Sequence, residues 1–231
     1  MGASRVVICG WSANARRLIA DLLRTHPQRS ICLISDALPG APDPPIPQLT
    51  RIAADPSTQD GLQVAALDAT DVVVILAEPR DGRSPQDVDA HTLLTVLAVK
   101  KMCPGAYSIA ELLSPENTFH AANAGVDEVL IADTHAGAML SRAVQSPKIL
   151  SVFTDLFRSG VGSRLYTAPL PPDLVDQPFS AVSAAVAARA LGILIGLRRD
   201  RSVRLVPDPQ EPLQAGDGLL LIQHLDPPVN G

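Results

Sequence analysis

Short apolar runs alternate with helical stripes through the first half of the chain. Arg5–Cys9 is an apolar run closed by Gly10, and the next residues place Ala15, Leu18, Ile19 and Leu22 on one helical face. Ser30–Ser35 is a second strand, ended by Asp36, so the opening reads as a β-α-β unit of a parallel sheet. Pro39, Pro42, Pro44, Pro45 and Pro47 then crowd one connection, and proline at that density forbids the crossover helix expected there. Arg51–Ala54 reads as a weak third strand before Asp55-Pro56. Leu62, Ala65, Ala66 and Ala69 predict a short helix, and Asp71–Ala77 is the clearest strand of all.

After a polar loop, Glu78–Gln86, the pattern predicts a long helix over Asp87–Met102 with two apolar stripes. One holds Ala90, Leu93, Leu94, Leu97 and Ala98; the other holds Val88, Val96, Val99 and Cys103. One sheet covers one side of a helix, so a partner subunit is expected over the other. On this reading the second stripe is the bare one, and a charge at Val99 should break assembly while sparing the fold.

Tyr107–Glu111 is the fifth strand. Ser114 is expected to cap a helix that starts at Pro115 and ends at Gly125, before a sixth strand, Val126–Ile131. Asp133 or Thr134 would cap a helix bearing Ala136, Met139, Leu140, Ala143 and Val144. Past Pro147, Ile149, Val152, Phe153, Leu156 and Phe157 form a second apolar helix outside the strand–helix alternation, suited to a crossover or dimer contact. From Leu165 the texture changes to short strands (Arg164–Ala168, Leu191–Leu197, Val203–Val206, Leu219–Ile222) around one helix, Ser180–Ala190. The fold class is therefore α/β: a Rossmann-like doubly wound parallel sheet over 1–132, a helical crossover over 133–160, and a small α+β C-terminal subdomain over 161–231.

Composition narrows the function. The 231 residues are 46% hydrophobic and only 3% aromatic, so the core is built from Ala, Val, Leu and Ile. A net charge of −5 argues against a nucleic-acid surface. Arg198, Arg199, Arg201 and Arg204 are the one basic cluster, read as a solvated hairpin end. The three cysteines, Cys9, Cys32 and Cys103, are widely spaced and form no CxxC pair, which fits buried thiols in a reducing cytosol. Met1–Arg5 leads straight into a strand, without a signal-peptide pattern. The longest apolar stretch, Ala181–Leu197, contains Arg189 and falls short of a membrane span.

Candidate chemistry gathers where the strands end. In the first turn, Gly10-Trp11-Ser12-Ala13-Asn14-Ala15, only the first glycine of a G-x-G-x-x-G fingerprint stands, although Asp36 occupies the place of its acidic residue. Open α/β sheets bind ligands beyond the carboxyl ends of their strands, where Gly10, Asp36, Asp55, Glu78 and Glu111 fall. Four carboxylates there suit ribose hydroxyls or a hard cation such as calcium; capping of the following helices is the plainer reading of each. Enzyme signatures are absent: no G-x-S-x-G, no H-E-x-x-H, no P-loop, and no Tyr-x-x-x-Lys at Tyr107 or Tyr166. His91 and His135 read as satisfied helix histidines; His120 and His224 have no partner by spacing.

These residues resemble the RCK (regulator of potassium conductance) domain, the TrkA-N plus TrkA-C pair, over almost the whole chain. Arg5-Val6-Val7-Ile8-Cys9-Gly10-Trp11-Ser12 is similar to its opening strand and turn, and Asp55-Pro56 to its motif after the third strand. Asp89-Ala90-x-Thr92-Leu93-Leu94 resembles its assembly helix, and Ala110-Glu111 and Gly125–Val129 its A-E and G-A-D-x-V signatures. Leu213–Leu220 resembles its closing L-x-x-G-D-x-L-L, and Ser114–Pro169 is similar to Castor/Pollux-type channels.

The resemblance implies a non-enzymatic, cytoplasmic gating-ring module of a potassium or cation channel. It would form homodimers through the crossover, and these would build a higher ring, such as an octamer, under a transmembrane pore segment or subunit outside this chain. No nucleic acid is involved. The ligand site would comprise Gly10, Trp11, Ser12, Asp36, Asp55, Glu78 and Glu111, with Glu78 and Glu111 as metal ligands. The ligand would be a divalent cation, calcium first, or an adenine nucleotide or NAD. Calcium-gated members carry A-E-x-E; here Leu113 stands at the second glutamate's place. The alternatives are a free NAD- or ATP-binding gating subunit of a Trk/Ktr-type transporter and, from another class, a Rossmann oxidoreductase.

Overall fold

The computed structural model describes residues 5–38, 40, 45–131, 134–157, 162–200 and 202–225. Most of the proline connection (Pro39, Pro42, Pro44), the Asp133 cap, the side chains of His135 and Ala136, and Arg201 lie outside them. The chain divides into two compact units, Met1–Ser141 and Arg142–Gly231.

The first unit is a six-stranded parallel sheet with strands β1 (Val6–Cys9), β2 (Ile31–Ile34), β3 (Leu49–Ile52), β4 (Val72–Ile75), β5 (Tyr107–Leu112) and β6 (Glu128–Ile131). Their spatial order is β3-β2-β1-β4-β5-β6. Helices α1 (Ala13–Thr25), α2 (Gln59–Gln63), α3 (Pro85–Met102) and α4 (Thr118–Asn123) connect them. The central strands are apolar on both faces, as a sheet covered on both sides requires: β1 and β2 are buried at every position. One core layer holds Val7, Ile34, Ile75, Val96, Val99 and Leu112; the other holds Ile8, Ala15, Ile19, Ile31 and Leu33. This is the Rossmann-like architecture expected. No helix joins β2 to β3 among the described residues, in keeping with the prolines.

Several local expectations shift. The third strand starts two residues earlier than the apolar run suggested, because parallel pairing sets Leu49 beside Ile31 and Ile52 beside Ile34. The short helix ends at Gln63 instead of running to Ala69. Ala66 turns to φ +45°, and the carbonyls of Ala65 and Ala66 accept from the Arg5 guanidinium at 3.0 and 2.9 Å. Ser114 makes no side-chain cap, and Pro115–Asn117 forms a 3-10 turn before the brief α4.

The two stripes of α3 exchange roles. Val88, Val96 and Val99 are at most 3% exposed and Cys103 is 8% exposed, so this stripe is the one that faces the chain's own sheet. Leu94 and Leu97 on the other stripe are 55% and 51% exposed, and Met102 at the helix end is 37% exposed. The expectation that a charge at Val99 spares the fold is therefore corrected: the valine β-branch locks into the core, and the bare face is carried by the leucines. Ser84 starts this helix with a reciprocal cap, its Oγ accepting from Asp87 N while its own N–H donates to the Asp87 carboxylate.

Helix α5 (Thr134–Gln145) spans the boundary between the units. In the second unit α6 (Ile149–Phe157) follows Pro147, with Lys148 at φ +72° breaking the helical path. Leu140, Val144, Val152 and Phe157 on α5 and α6 are all more than half exposed. A four-stranded antiparallel sheet, ordered β7-β10-β8-β9, follows: β7 (Gly162–Pro169), β8 (Ile193–Arg199), β9 (Ser202–Leu205) and β10 (Gly218–Leu225). Helix α7 (Phe179–Ala188) closes its core through Val182 and Val186 against Leu194, Leu197, Leu219 and Leu221.

Asp217, in the Gly-Asp pair before β10, is 3% exposed and accepts from Arg199 Nε (2.8 Å), Arg199 Nη2 (2.7 Å) and Gln214 N (2.8 Å). Arg199 also reaches Glu211 at 3.2 Å, and Arg204 pairs with the same carboxylate. Read from the sequence as a solvated hairpin end, these two arginines instead lock the small unit together.

Candidate functional site

The strand order turns back between β1 and β4, so consecutive connections leave the sheet in opposite directions there. The crevice this opens lies beyond the carboxyl ends of those strands. Gly10 makes the first turn possible: φ is +98°, and a Cβ there would sit 2.9 Å from the Leu76 carbonyl oxygen. Ser12 caps α1, its Oγ accepting from Ala15 N at 3.4 Å. Its hydroxyl thus fills the place where a dinucleotide fingerprint has a bare glycine. Trp11 is partly exposed, with the Arg16 guanidinium 5.9 Å from its ring centroid.

The carboxylates at this edge fall into three settings. Asp36 and Glu78 share Arg80: Arg80 Nη1 lies 3.1 Å from Asp36 Oδ2, and Nη2 lies 3.2 Å from Glu78 Oε1. Ser35 Oγ donates to both Glu78 oxygens, at 3.1 and 3.3 Å. The Arg80 contact holds the Asp36 carboxyl below the usual range. Asp55 lies apart from them: burial pushes its pKa up, but the Ser57 amide and hydroxyl, each at 2.8 Å, and His91 Nε2 at 3.1 Å outweigh that and lower it.

Glu111 is different. It is 3% exposed; Oε1 accepts from Asn14 Nδ2 at 2.5 Å, while Oε2 is buried with no hydrogen-bond partner among the described residues. Burial raises its pKa, against the opposing Asn14 hydrogen bond and the weaker pull of the nearby Ala77 backbone amide.

Glu111 borders a hollow of about 400 Å³ formed by Ser12 and Asn14 at the start of α1, Ala77 and Pro79 after β4, and Leu113 after β5. The structure thus brings Ser12 and Glu111 to one pocket, sets Asp36 and Glu78 in an arginine-bridged cluster, and places Asp55 against α3. Glu78 and Glu111, expected to hold a metal jointly, lie in different settings. Glu78 spends its oxygens on Ser35 and Arg80, and no group of three His, Cys, Asp or Glu side chains is set to hold a metal ion among the described residues. A cation here would find one carboxylate oxygen without a partner, not a cage.

Sequence reasoning missed Asn14, Arg80 and Asp89. Asp89 is fully buried on α3 and accepts from Leu113 N (2.8 Å), Ser114 N (2.9 Å) and Asn117 Nδ2 (2.7 Å). Its signal was positional: residue 89 lies beside Val88 and one turn before Thr92 on the buried side. Cys9, Cys32 and Cys103 are all buried free thiols.

A six-stranded parallel sheet with a hollow at its switch point defines a Rossmann-like domain. The chain belongs to the TrkA-N domain family, whose model matches residues 6–132. It is 28% identical over 145 residues to the calcium-gated potassium channel TvoK of Thermoplasma volcanium, a match covering 62% of this chain and 41% of that protein. It is also 28% identical over 130 residues to the putative potassium channel protein YugO of Bacillus subtilis, covering 56% of this chain and 38% of that one. The matches thus span about two fifths of each relative's length. In fold the chain is similar to the human SLO3 gating ring, with a TM-score of 0.73 at 16% identity, over 95% of this chain and 44% of that one. No described helix is long and apolar enough to cross a membrane.

Proposed function

We propose that this chain is the ligand-sensing regulatory (RCK) module of a potassium channel, attached to the cytoplasmic side of a pore that lies outside it. The observation that carries the reading is helix α3. Packed on its own sheet through Val96 and Val99, it leaves Leu94, Leu97 and Met102 bare. A row of exposed leucines on a buried helix is a protein contact surface, and a second copy of the chain is the partner that builds a ring. The similarity to TvoK and YugO supports a channel as the effector. The bare residues of α5 and α6 suit a dimer contact over 133–160. The Arg199–Asp217 lock suits a TrkA-C subdomain over 161–231.

The ligand site in this reading is the Glu111 pocket. An incoming ligand gains by giving the orphaned Oε2 a cation or a hydrogen-bond donor. Calcium is the first candidate, because TvoK is calcium-gated; NAD or an adenine nucleotide is the second, offering ribose hydroxyls. The switch-point position of the pocket leaves room for that second candidate, which would also suit a free Trk/Ktr-type subunit.

Thermal unfolding of the full chain with Ca2+, Mg2+, NAD and ATP tests this. A ligand at about 100 times its Kd adds about 2.7 kcal/mol, a rise of several degrees in Tm, and Glu111→Ala should abolish it. An undiminished rise in that variant rejects the site.

A further inference from the structure

We infer that Asp89 is the positioning residue that couples the Glu111 pocket to the exposed face of α3, so that a ligand bound at one alters self-association through the other. The inference rests on the reading of that pocket as the ligand site.

Strand β5 ends at Leu112, and the next two amides are not spent on the sheet or on a helix cap. Leu113 N and Ser114 N both donate to the Asp89 carboxylate, at 2.8 and 2.9 Å, and Asn117 Nδ2 adds a third bond at 2.7 Å. Leu113 itself borders the pocket beside Glu111. Asp89 is fully buried, and no cation pairs with it among the described residues. A buried carboxylate held only by three N–H donors from one segment keeps that segment and its own helix in fixed register, because each broken bond would leave a buried charge short of a partner.

The same helix carries Leu94 and Leu97, one and two turns further on, as its exposed face. The pocket wall at Glu111–Leu113 and the apolar face are therefore joined by one buried side chain. Near it, Asn117 Nδ2 also reaches Gln86 Oε1 at 3.2 Å, tying the start of α3 to the same segment. A ligand that draws Glu111 Oε2 moves the tip of β5, and Asp89 passes that displacement to α3. Simple bracing of the fold would require none of this linkage, and that difference makes the idea testable.

The measurement is sedimentation equilibrium of the full chain with saturating calcium and with chelator, paired with the calcium-induced change in Tm. NAD and ATP replace calcium if calcium gives no change in Tm. Wild type is expected to change its association constant about 5–150-fold with ligand, and Asp89→Asn by less than about twofold while keeping its ligand-induced Tm rise. Asn117→Ala, which removes one of the three bonds from a partly exposed position, should lie between them. It carries the test alone if Asp89→Asn does not fold.

Folded variants whose ligand-dependent association equals wild type overturn the proposal. So does a wild type whose Tm responds to ligand while its association does not, a result that leaves the pocket reading intact. A wild type whose Tm responds to none of the probes overturns the pocket reading and the coupling with it.

Discussion

Glu111→Gln should make the ligand-free protein more stable. In the wild type one carboxylate oxygen accepts from Asn14 and the other is buried without a partner among the described residues. An ionised group left short of a partner costs more than a neutral amide of the same shape, by about 1–2 kcal/mol. For a chain of this size that is a Tm rise of roughly 2–8 °C.

The sign of its pH dependence follows from the raised pKa of Glu111. The folded state holds this proton more tightly than the unfolded chain does. Protonation therefore favours folding, and the advantage is lost as pH rises through the folded value. The stability gain of Glu111→Gln should be full at neutral pH and shrink on acidification, as the wild-type carboxyl becomes neutral too. Thermal unfolding of both proteins from pH 8 to pH 4, without ligand, reads this directly. A variant less stable than wild type at pH 7, or a gain that grows toward acid, refutes the reasoning. The gain should come with loss of ligand-induced stabilisation, the trade expected where a binding site holds an unsatisfied group.

Other outcomes follow from the same structure. Val99→Asp puts a carboxylate into a fully buried position between α3 and the sheet, and should cost at least about 4 kcal/mol, seen as lost cooperative unfolding by circular dichroism. Asp71→Asn leaves Arg5, which spans Asp71 at 3.2 Å and the carbonyls of Ala65 and Ala66, short of its counter-charge. Because Arg5 is partly exposed, the loss in a urea titration should fall near the lower end of the roughly 3–5 kcal/mol typical of broken buried pairs. In the small unit, the Arg199 guanidinium holds the Asp217 carboxyl below its ordinary range, so its contribution is present above about pH 4 and lost as pH falls through the folded value. Asp217→Asn should lower Tm at pH 7 and flatten the acid limb of the stability curve; an unchanged acid limb would show that this lock does not act.

What the sequence made legible was set by periodicity. The apolar runs at Val6–Cys9 and Ile31–Ile34 are buried on both faces, and Val72–Ile75 is buried on one face and half-buried on the other; such runs read clearly in one dimension. The same runs fixed where the strands end, and so set Gly10, Ser12 and Glu111 at one edge of the sheet, whereas the switch point needed the strand order that only the structure supplies. Less legible was anything decided by a partner far along the chain. Both stripes of α3 are apolar, so pattern alone could not say which one the sheet takes. The acidic residues at the strand ends read as one cluster, because Arg80 was invisible as the side chain that ties Asp36 to Glu78. Asp89 reads as an ordinary helix residue until the Leu113 and Ser114 amides turn toward it. Arg199 reads as a surface charge until Asp217 lies 2.7 Å away.

The most direct measurement is the solution mass of the full chain by light scattering, beside that of Leu94→Glu/Leu97→Glu. Wild type should be larger than a protomer, and the double variant should step down in mass with an unchanged circular dichroism spectrum, since both leucines are more than half exposed. A wild-type protein that stays a single protomer at all concentrations, or a variant that assembles as wild type does, contradicts the claim that α3 carries the assembly surface.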